Sequence, residues 1–378
     1  MNRQLVFGIA AAGLMASTMA GIAQETTSFR SELDDVAARL AKLEKGPEQS
    51  ASWSDKITIK GDIRYRYEYK DKEDDTDKSR NRLRARVGVY AQVNDETTAG
   101  IRLATGSDES PTSTNQDIDN FGSKKTIWLD LAYLAYAPKY IDGATLTVGK
   151  MNQPWVFASD LLFDSDFNPE GVGLTYGTDL GSISLKTQVG YFTLMENKTD
   201  DIQMATAQMS ASADMAEDIT LTATLGGFFY GGLKGEAFAN FNGKTAENGN
   251  SNNGTGAYLF DYDIIDGSLM LDFHSITAYA EVANNMADNV KDDTAWILGL
   301  GTQIKKLSLD YNYRDMERDS VLGALADGDF GGPGGKGHKI KASYPVAENL
   351  SIGAAYFRID TASDDDVNLV HFDVNVKF

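Results

Sequence analysis

Alternation of apolar and polar residues over stretches of roughly ten residues constrains this chain more than any other feature. In ITIKGDIRYRYEY, one face carries the apolar and aromatic residues Ile57, Ile59, Ile63, Tyr65, Tyr67 and Tyr69. In RNRLRARVGVYAQV, the equivalent face carries Leu83, Ala85, Val87, Val89, Ala91 and Val93. Because side chains two residues apart lie on the same face of a β-strand, both stretches predict strands with one apolar and one charged face.

Sixteen such stretches follow one another along the chain. They start near Ile57, Arg82, Thr98, Ile127, Ala144, Gly171, Ser182, Asp201, Ile219, Ala257, Ser275, Thr294, Leu307, His338, Leu350 and Val367. Their length suits tilted strands that cross a bilayer, and no run of about 20 apolar residues predicts a membrane helix. A soluble sandwich would turn its polar face to bulk water, whereas a barrel in lipid turns its apolar face outward and its polar face to a lumen.

The links between the predicted strands alternate in length. Tight turns such as Asn94–Thr97, Thr178–Gly181, Lys305–Lys306 and Ala347–Asn349 exchange with long polar loops such as Ser107–Thr126. Outer-membrane barrels have short periplasmic turns and longer external loops. We therefore predict an all-β fold, a 16-stranded antiparallel transmembrane β-barrel over residues 57–378, with both of its ends on the periplasmic side of the outer membrane.

The final stretch, VNLVHFDVNVKF, predicts how the barrel is inserted. It places Phe372, Val374 and Val376 on one face and ends on the aromatic residue Phe378. This pattern resembles the insertion signal read by the barrel-assembly machinery; the alternative is an edge strand that happens to end in Phe. The acidic residues of the predicted loops are either simply solvated or share divalent cations with lipid phosphates. In the second case, outer-membrane lipid and lipopolysaccharide are further expected partners.

The first residues predict export. Residues 1–23 combine Arg3 with the apolar run LVFGIAAAGLMASTMA and small residues at Gly21 and Ala23, as a cleaved signal peptide does. The chain contains no cysteine, which excludes disulfides and lipid attachment at a cysteine. Its formal net charge of −20 disfavours nucleic acid as a partner.

Residues 24–46 predict a periplasmic helix. Their apolar residues recur at spacings of four and three, which is typical of a coiled-coil seam made by Phe29, Leu33, Val36, Leu40 and Leu43. A helix this short is marginal alone in water, so we expect it to be completed by other copies in a homotrimer. The alternative is a lone amphipathic helix on the body. Gly46 and Pro47 end the helix, and residues 47–56 form a linker.

Residues 150–171 interrupt the alternating pattern, and we name them the constriction loop. They combine the apolar residues Trp155, Val156, Phe157, Leu161, Leu162, Phe163 and Phe167 with the acids Asp160, Asp164, Asp166 and Glu170, next to Lys150. Apolar side chains are costly in water and carboxylates are costly in a core. Both costs disappear if the loop folds into a wide barrel, with its rings against the wall and its acids facing water. The alternative is a surface loop with an interaction patch.

Basic residues share the predicted inner face of the first three strands, and we name them the basic wall: Lys60, Arg64, Arg66, Arg82, Arg84, Arg86 and Arg102. Barrel closure places the inward residues His371 and Lys377 beside them. Facing the acids of the constriction loop, this wall predicts a transverse field and charge selectivity at the narrowest point. In the alternative, these charges pair with neighbours such as Asp62 and Glu68 and only keep the wall rigid.

Other chemistry is sparse. The histidines His274, His338 and His371 lie on separate predicted strands without metal-ligand spacing, and no nucleophile stands beside a base. We predict no enzyme activity, no cofactor and no metal. The segment Gly328–Lys339 imitates a phosphate-binding loop in composition, but no Ser or Thr follows Lys336 and no helix pattern follows, so we predict a flexible external loop.

Several segments together resemble the family called Putative porin, from about Trp53 to Phe378: WSDKITIKGDIRYRYEY, NRLRARVGVYAQVNDETTAGIRLATG, IWLDLAYLAYAP and the constriction loop. The resemblance implies a passive channel. Gly149-Lys150 is similar to the Gly-Arg pair that opens the constriction loop of trimeric porins, with Lys in place of Arg. The alternative function is a structural barrel that ties the membrane to the cell wall through its coiled coil. A structural barrel has no need of an acidic and aromatic insertion, so we favour the channel.

Overall fold

The computed structural model describes residues 53–73, 76–107, 110–119, 121–197, 200–238, 249–362 and 366–378. The chain divides into the units Met1–Asp55 and Lys56–Phe378. The predicted signal peptide and coiled-coil helix lie outside the described residues, as does the linker up to residue 52. Trp53–Lys56 forms one 3-10 turn.

The predicted alternation of apolar and polar residues occurs in strands. Within the described residues, sixteen long strands account for most of the second unit. They are β1 (Ile57–Lys72), β2 (Lys78–Asn94), β3 (Thr97–Thr105), β4 (Ile127–Tyr136), β5 (Ala144–Lys150), β6 (Glu170–Leu180), β7 (Ile183–Met195), β8 (Ile202–Ala216), β9 (Ile219–Gly231), β10 (Asp263–Phe273), β11 (Ile276–Asn285), β12 (Thr294–Ile304), β13 (Leu307–Met316), β14 (Lys336–Ala347), β15 (Leu350–Asp360) and β16 (Asp366–Lys377).

Each strand pairs antiparallel with the next along the chain, and β1 also pairs with β16, so the sheet closes on itself. This closed ring confirms the predicted 16-stranded antiparallel barrel. A further two-residue strand, Gln116–Asp117, pairs with Leu83 and Arg82 near the start of β2. Two strand starts differ from the prediction by more than two residues: β2 begins at Lys78 instead of Arg82, and β10 begins at Asp263 instead of Ala257.

The second difference has a physical reason. The apolar residues that suggested an earlier start of β10 include Tyr258 and Tyr262, which are buried inside the barrel instead of belonging to the sheet. They form an edge-to-face pair with ring centroids 5.9 Å apart. Buried loop residues and strand residues are equally apolar, so the sequence could not separate them.

Links at the two ends of the barrel differ in length, as predicted. At one end, six of the seven links contain two residues, for example Lys305–Lys306 between β12 and β13. At the other end, the links contain between 5 and 31 residues. β1 starts and β16 finishes at the short-link end, so both ends of the barrel lie on one side.

The outer surface of the barrel is apolar. Side chains such as Ile63, Val87, Leu298 and Val374 point away from the lumen and are exposed, while the residues between them on each strand point inward. An apolar belt around a closed sheet is the surface that lipid covers. Within the residues that the structure describes, no helix is long and apolar enough to cross a membrane.

The main buried core lies inside the barrel and not between layers of secondary structure. It joins loop residues such as Trp155, Leu161 and Val321 to inward side chains of the wall, such as Phe192 and Phe228. This core fills only part of the lumen. The candidate functional site lies in the part that stays open.

Candidate functional site

The constriction loop leaves the sheet at a glycine. Gly149 has a φ of 108°, and a Cβ at this position would lie 2.2 Å from the carbonyl oxygen of Ala132 on the neighbouring strand. Only glycine accommodates both this backbone conformation and this contact. Between the strands, residues 151–169 form the loop, and Lys150 pairs with Glu170 at its base, with Nζ 2.7 Å from Oε1.

Aromatic packing holds the first part of the loop against β7, β8 and β9. Trp155 stacks on Phe163 with ring centroids 4.9 Å apart and makes edge contacts at 5.5 Å with both Phe192 and Phe228. Gln208 on β8 accepts from the backbone N–H of Val156 at 2.8 Å and donates to its carbonyl at 3.0 Å. Burial of these rings accounts for the apolar half of the loop sequence.

The middle of the loop reaches the opposite side of the barrel. Asp160 forms ion pairs with Arg314 on β13 and with Lys339 on β14, the latter at 2.7 Å. Ser159 donates a hydrogen bond of 2.8 Å to Glu281 on β11. Because β13 lies eight strands from β5 in a sixteen-stranded ring, the loop crosses the lumen.

The end of the loop returns to the basic wall. The Asp166 carboxylate lies 3.1 Å from the guanidinium of Arg86, and it accepts from the hydroxyl of Thr114 at 2.7 Å. The side chain of Asn168 donates to Asp130 on β4 at 2.8 Å. Asp166 is therefore the constriction-loop acid that the structure brings into contact with the wall.

Asp164 lies between the two ends of the loop. Its backbone N–H donates to the carbonyl of Leu325 at 2.8 Å. Burial, with the neighbouring carboxylates of Asp327, Asp166 and Asp329, raises the pKa of Asp164 to about 8. At neutral pH this side chain is mostly uncharged, so it does not contribute the negative charge that the sequence suggested.

A second segment, residues 317–335, also folds into the lumen, and we name it the inner loop. The prediction that Gly328–Lys339 forms an external loop is wrong in its location. Phe330 is fully buried, with its ring centroid 4.5 Å from the guanidinium carbon of Arg314, and Asp329 pairs with Arg66 at 3.1 Å. The glycines that suggested flexibility shape a tight turn instead, in which Gly331 has a φ of 85° and caps the 3-10 turn Gly328–Phe330.

The residues of the basic wall on β1 and β2 face one another across the two strands. Arg64 pairs in register with Arg84, and Arg66 pairs with Arg82. Most of the basic-wall side chains form an ion pair with a carboxylate. The ion pairs are Arg66–Asp373 at 2.7 Å, Arg82–Asp117 at 2.9 Å, Arg84–Asp62 at 2.8 Å, Arg86–Asp62 at 2.7 Å and Arg102–Asp130.

Two members of the wall differ from the others. Lys60 is exposed near the short-link end and forms no ion pair within the described part of the chain. Arg64 donates to the amide oxygen of Asn115 at 2.6 Å, and it too has no carboxylate partner among the described residues. Asn115 belongs to the link between β3 and β4, a partner that no spacing in the sequence indicated.

His371 lies close to two carboxylates that the sequence did not associate with it. Its Nε2 is 3.5 Å from Glu68, and its Nδ1 is 3.9 Å from Asp329. Within 4.8 Å of one another, these three groups could hold a metal ion. However, Arg80 lies 2.6 Å from Glu68 and Arg66 lies 3.1 Å from Asp329, so guanidinium groups already neutralise both carboxylates. The arrangement is that of an ion-pair network.

A cavity of about 590 Å³ lies between the basic wall, the constriction loop and the inner loop. A second cavity, of about 620 Å³, is lined by Phe157 and Tyr279. The two cavities share lining residues, namely Asp160, Ser165, Lys339, Lys341 and Ser343. They therefore form connected parts of one lumen.

Sequence reasoning missed Arg314 and Lys339, although a signal for both was present. In SLDYNYRDM, alternation places Arg314 on the same face as Ser308, Asp310 and Asn312; in KGHKIKASY, it separates Lys339 and Lys341 from His338 and Ile340. Applied to β13 and β14, the rule used for β1 and β2 would have placed them in the lumen.

The last strand forms the seam of the barrel. Phe372, Val374 and Val376 point outward and are exposed, and Phe378 exchanges two backbone hydrogen bonds of 2.8 and 3.0 Å with Gly61 of β1. The Phe378 ring occupies the space that a Cβ at Gly61 would fill. The terminal residue therefore takes part in closure of the sheet.

Residues 71–312, more than half of the chain, match the family described as Putative porin. The chain belongs to this porin family. Porins are non-enzymatic channels, and this porin is accordingly a β-barrel channel of the outer membrane.

The chain is similar to several solved structures. One, described as "Asymmetric conductivity of engineered proteins", superposes on the porin with a TM-score of 0.51 and 14% identity, covering 85% of this chain and 100% of its own. A triple mutant of the Rhodopseudomonas blastica porin gives a TM-score of 0.49 and 14% identity with the same coverage. A search of curated proteins gives no match.

Proposed function

We propose that this porin lets small hydrophilic solutes and ions diffuse passively through a water-filled channel, which the constriction loop narrows opposite the basic wall. The observation that carries this proposal is the path of the loop. It crosses the lumen to Arg314, returns to Arg86, and leaves a cavity of about 590 Å³ beside the wall.

Charges of both signs line this cavity. Arginines of β1 and β2 form one part of the lining, and Asp166 of the constriction loop contacts them at Arg86. Asp160 of the same loop lies beside Lys339 of β14. Side chains of this kind give narrow channels their charge selectivity, because a solute loses much of its hydration water there. We infer a transverse field in which the wall favours anions and the loop favours cations.

Reversal potentials in a salt gradient across a planar bilayer test this function. Replacing Arg82, Arg84 and Arg86 by Ser should shift the permeability toward cations, and replacing Asp160, Asp164 and Asp166 by Asn should shift it toward anions. Lys305→Gln, in an exposed two-residue turn, is the control for loss of a distant charge. If both triple variants formed open channels with the parent reversal potential, these side chains would not line the constriction.

We also propose a homotrimer held by the seam of residues 24–46, with the barrel-assembly machinery recognising Phe378. Deleting residues 25–45 should weaken the trimer without abolishing the barrel. A native mass that corresponds to a monomer both with and without that segment would contradict the trimer. Deleting Phe378 should lower the amount of folded barrel in the outer membrane, because two backbone hydrogen bonds to Gly61 are lost. Unchanged amounts of heat-modifiable barrel would contradict the insertion signal.

A further inference from the structure

Arg64 differs from the other arginines of the basic wall in what its guanidinium contacts. One of its terminal N–H groups donates to the amide oxygen of Asn115 at 2.6 Å. Its Nε is buried and has no hydrogen-bond acceptor. Since a guanidinium has five N–H donors in a planar fork, most of the hydrogen-bonding capacity of Arg64 is unused by the described part of the protein.

The carboxylates around Arg64 are already paired with other arginines, including Asp166, whose charge acts on Arg64 but which lies 3.1 Å from Arg86. Asp62 lies 2.8 Å from Arg84 and 2.7 Å from Arg86, so it holds two cations. Asp373 accepts a bidentate pair of hydrogen bonds from Arg66, at 2.7 and 2.9 Å. The geometry leaves Arg64 without a carboxylate of its own.

The positions across from Arg64 add positive charge and not negative charge. Its cross-strand neighbour on β2 is Arg84, and its neighbour on β16 is Asn375. Like charges directly opposite each other on a sheet are destabilising unless another group neutralises them. Lys341 and Lys377 line the same cavity, and neither forms an ion pair within the residues that the structure describes.

We propose that Arg64, supported by Arg84, forms a binding subsite in the channel for small oxyanions such as inorganic phosphate or a carboxylate. Two oxygens of such an anion match the planar fork of a guanidinium. This inference rests on the proposed channel function and gives it a solute class. The net charge of −20 does not oppose it, because that charge is spread over the whole chain and is screened over about 8 Å at physiological ionic strength.

Three variants separate a specific subsite from a general effect of charge. Arg64→Gln removes the charge and the fork, and Arg64→Lys keeps the charge without the fork. Arg86→Gln removes a wall charge whose guanidinium is already paired with Asp62 and Asp166. Heat modifiability on gels establishes that each variant forms a folded barrel.

The measurement is block of the KCl current by inorganic phosphate, together with the reversal potential, for each full-length variant in planar bilayers. We expect half-block in Arg64→Gln and Arg64→Lys to need about tenfold more phosphate than in the parent, as loss of a bidentate contact predicts. We expect Arg86→Gln to shift the reversal potential about as far as Arg64→Gln does, but to keep the phosphate concentration for half-block within about threefold of the parent.

Equal phosphate block in Arg64→Gln and the parent would overturn the subsite, as would an equal loss in Arg86→Gln and Arg64→Gln. Absence of current in the parent would instead overturn the channel function. Calorimetric titration of the detergent-solubilised barrels with phosphate decides the subsite in that case, since heat of binding that Arg64→Gln abolishes supports it and unchanged heat contradicts it.

Discussion

The constriction loop and the inner loop both fold into the lumen, but aromatic packing contributes more to holding the first. The stacked rings of Trp155 and Phe163 attach the constriction loop to the barrel wall. In the inner loop, aliphatic side chains such as Val321 are buried, and Asp329 pairs with Arg66 at 3.1 Å. Both loops also form ion pairs, and these should respond more to pH and salt than the apolar contacts do.

The two loops meet at Arg314, which is fully buried. Its guanidinium pairs with Asp160 of the constriction loop, lies 3.9 Å from Asp327 of the inner loop, and faces the ring of Phe330. Arg314 therefore links both loops to β13, as Lys339 links them to β14 through the same two acids. Variants at this junction should affect both loops, while variants on either side should affect one.

Replacing Arg314 by Leu should have the largest effect. Loss of one partner of a buried ion pair leaves uncompensated carboxylates and costs about 3 to 5 kcal/mol. We expect both loops to loosen, with a lower temperature of heat modification and noisier single-channel currents. Lys341→Leu, at an inward lumen position without an ion pair among the described residues, is the control. Parent-like thermal stability and quiet currents in Arg314→Leu would show that the loops are held independently.

Truncating one ring in each loop compares their apolar contributions. Trp155→Ala should destabilise the barrel by about 3 kcal/mol or more, because it removes a large buried ring from a packed cluster. Phe330→Ala should cost less, since the ion pairs of the inner loop remain. Both losses can be measured by unfolding in urea, with the folded and unfolded forms separated by their gel mobility. This readout does not depend on tryptophan fluorescence. A larger loss of stability in Phe330→Ala than in Trp155→Ala would show that aromatic packing contributes more to the inner loop than to the constriction loop.

Between pH 7 and pH 9, Asp164 should produce the smallest effect of the three, because only the last part of its titration lies in that range. Its pKa of about 8 lies above the value of about 4 for an unfolded chain. The folded state therefore binds the extra proton, and the stability from this group is lost progressively as pH rises from about 4 to about 8 and is level above that.

Ionisation of Asp164 also adds a negative charge beside the channel. Between pH 7 and pH 9, the parent should therefore shift toward cation permeability, and Asp164→Asn should lose this part of the shift. Reversal potentials at the two pH values provide the measurement. If the shift were identical in both proteins, another group would be responsible for it.

The constriction loop was predictable because its rings interrupt an alternating pattern. A run such as WVFASDLLF fits neither a strand nor a solvated loop, so the sequence itself indicates inward folding. The barrel was predictable for a related reason, because each strand of about ten residues repeats the same two-residue period.

The inner loop was not predictable by the same reasoning. Its segment GALADGDFGGPGG is composed like an exposed loop, and its acids include Asp329, whose arginine partner Arg66 is distant in sequence. Asp329 and Arg66 are 263 residues apart. Pairing over such a distance has no local signature, and this also explains why the contact between Arg64 and Asn115 could not be anticipated.

The seam between β1 and β16 has a consequence for the order of events during folding. Arg66 and Asp373 contact each other across 307 residues of chain, and Phe378, the last residue, bonds to Gly61 near the start of the barrel. Contacts so distant in sequence form slowly, because the intervening chain loses entropy before any contact is gained. Ring closure must therefore wait until β16 has been made. Until then the chain keeps two open sheet edges, whose unpaired backbone groups can pair with other strands.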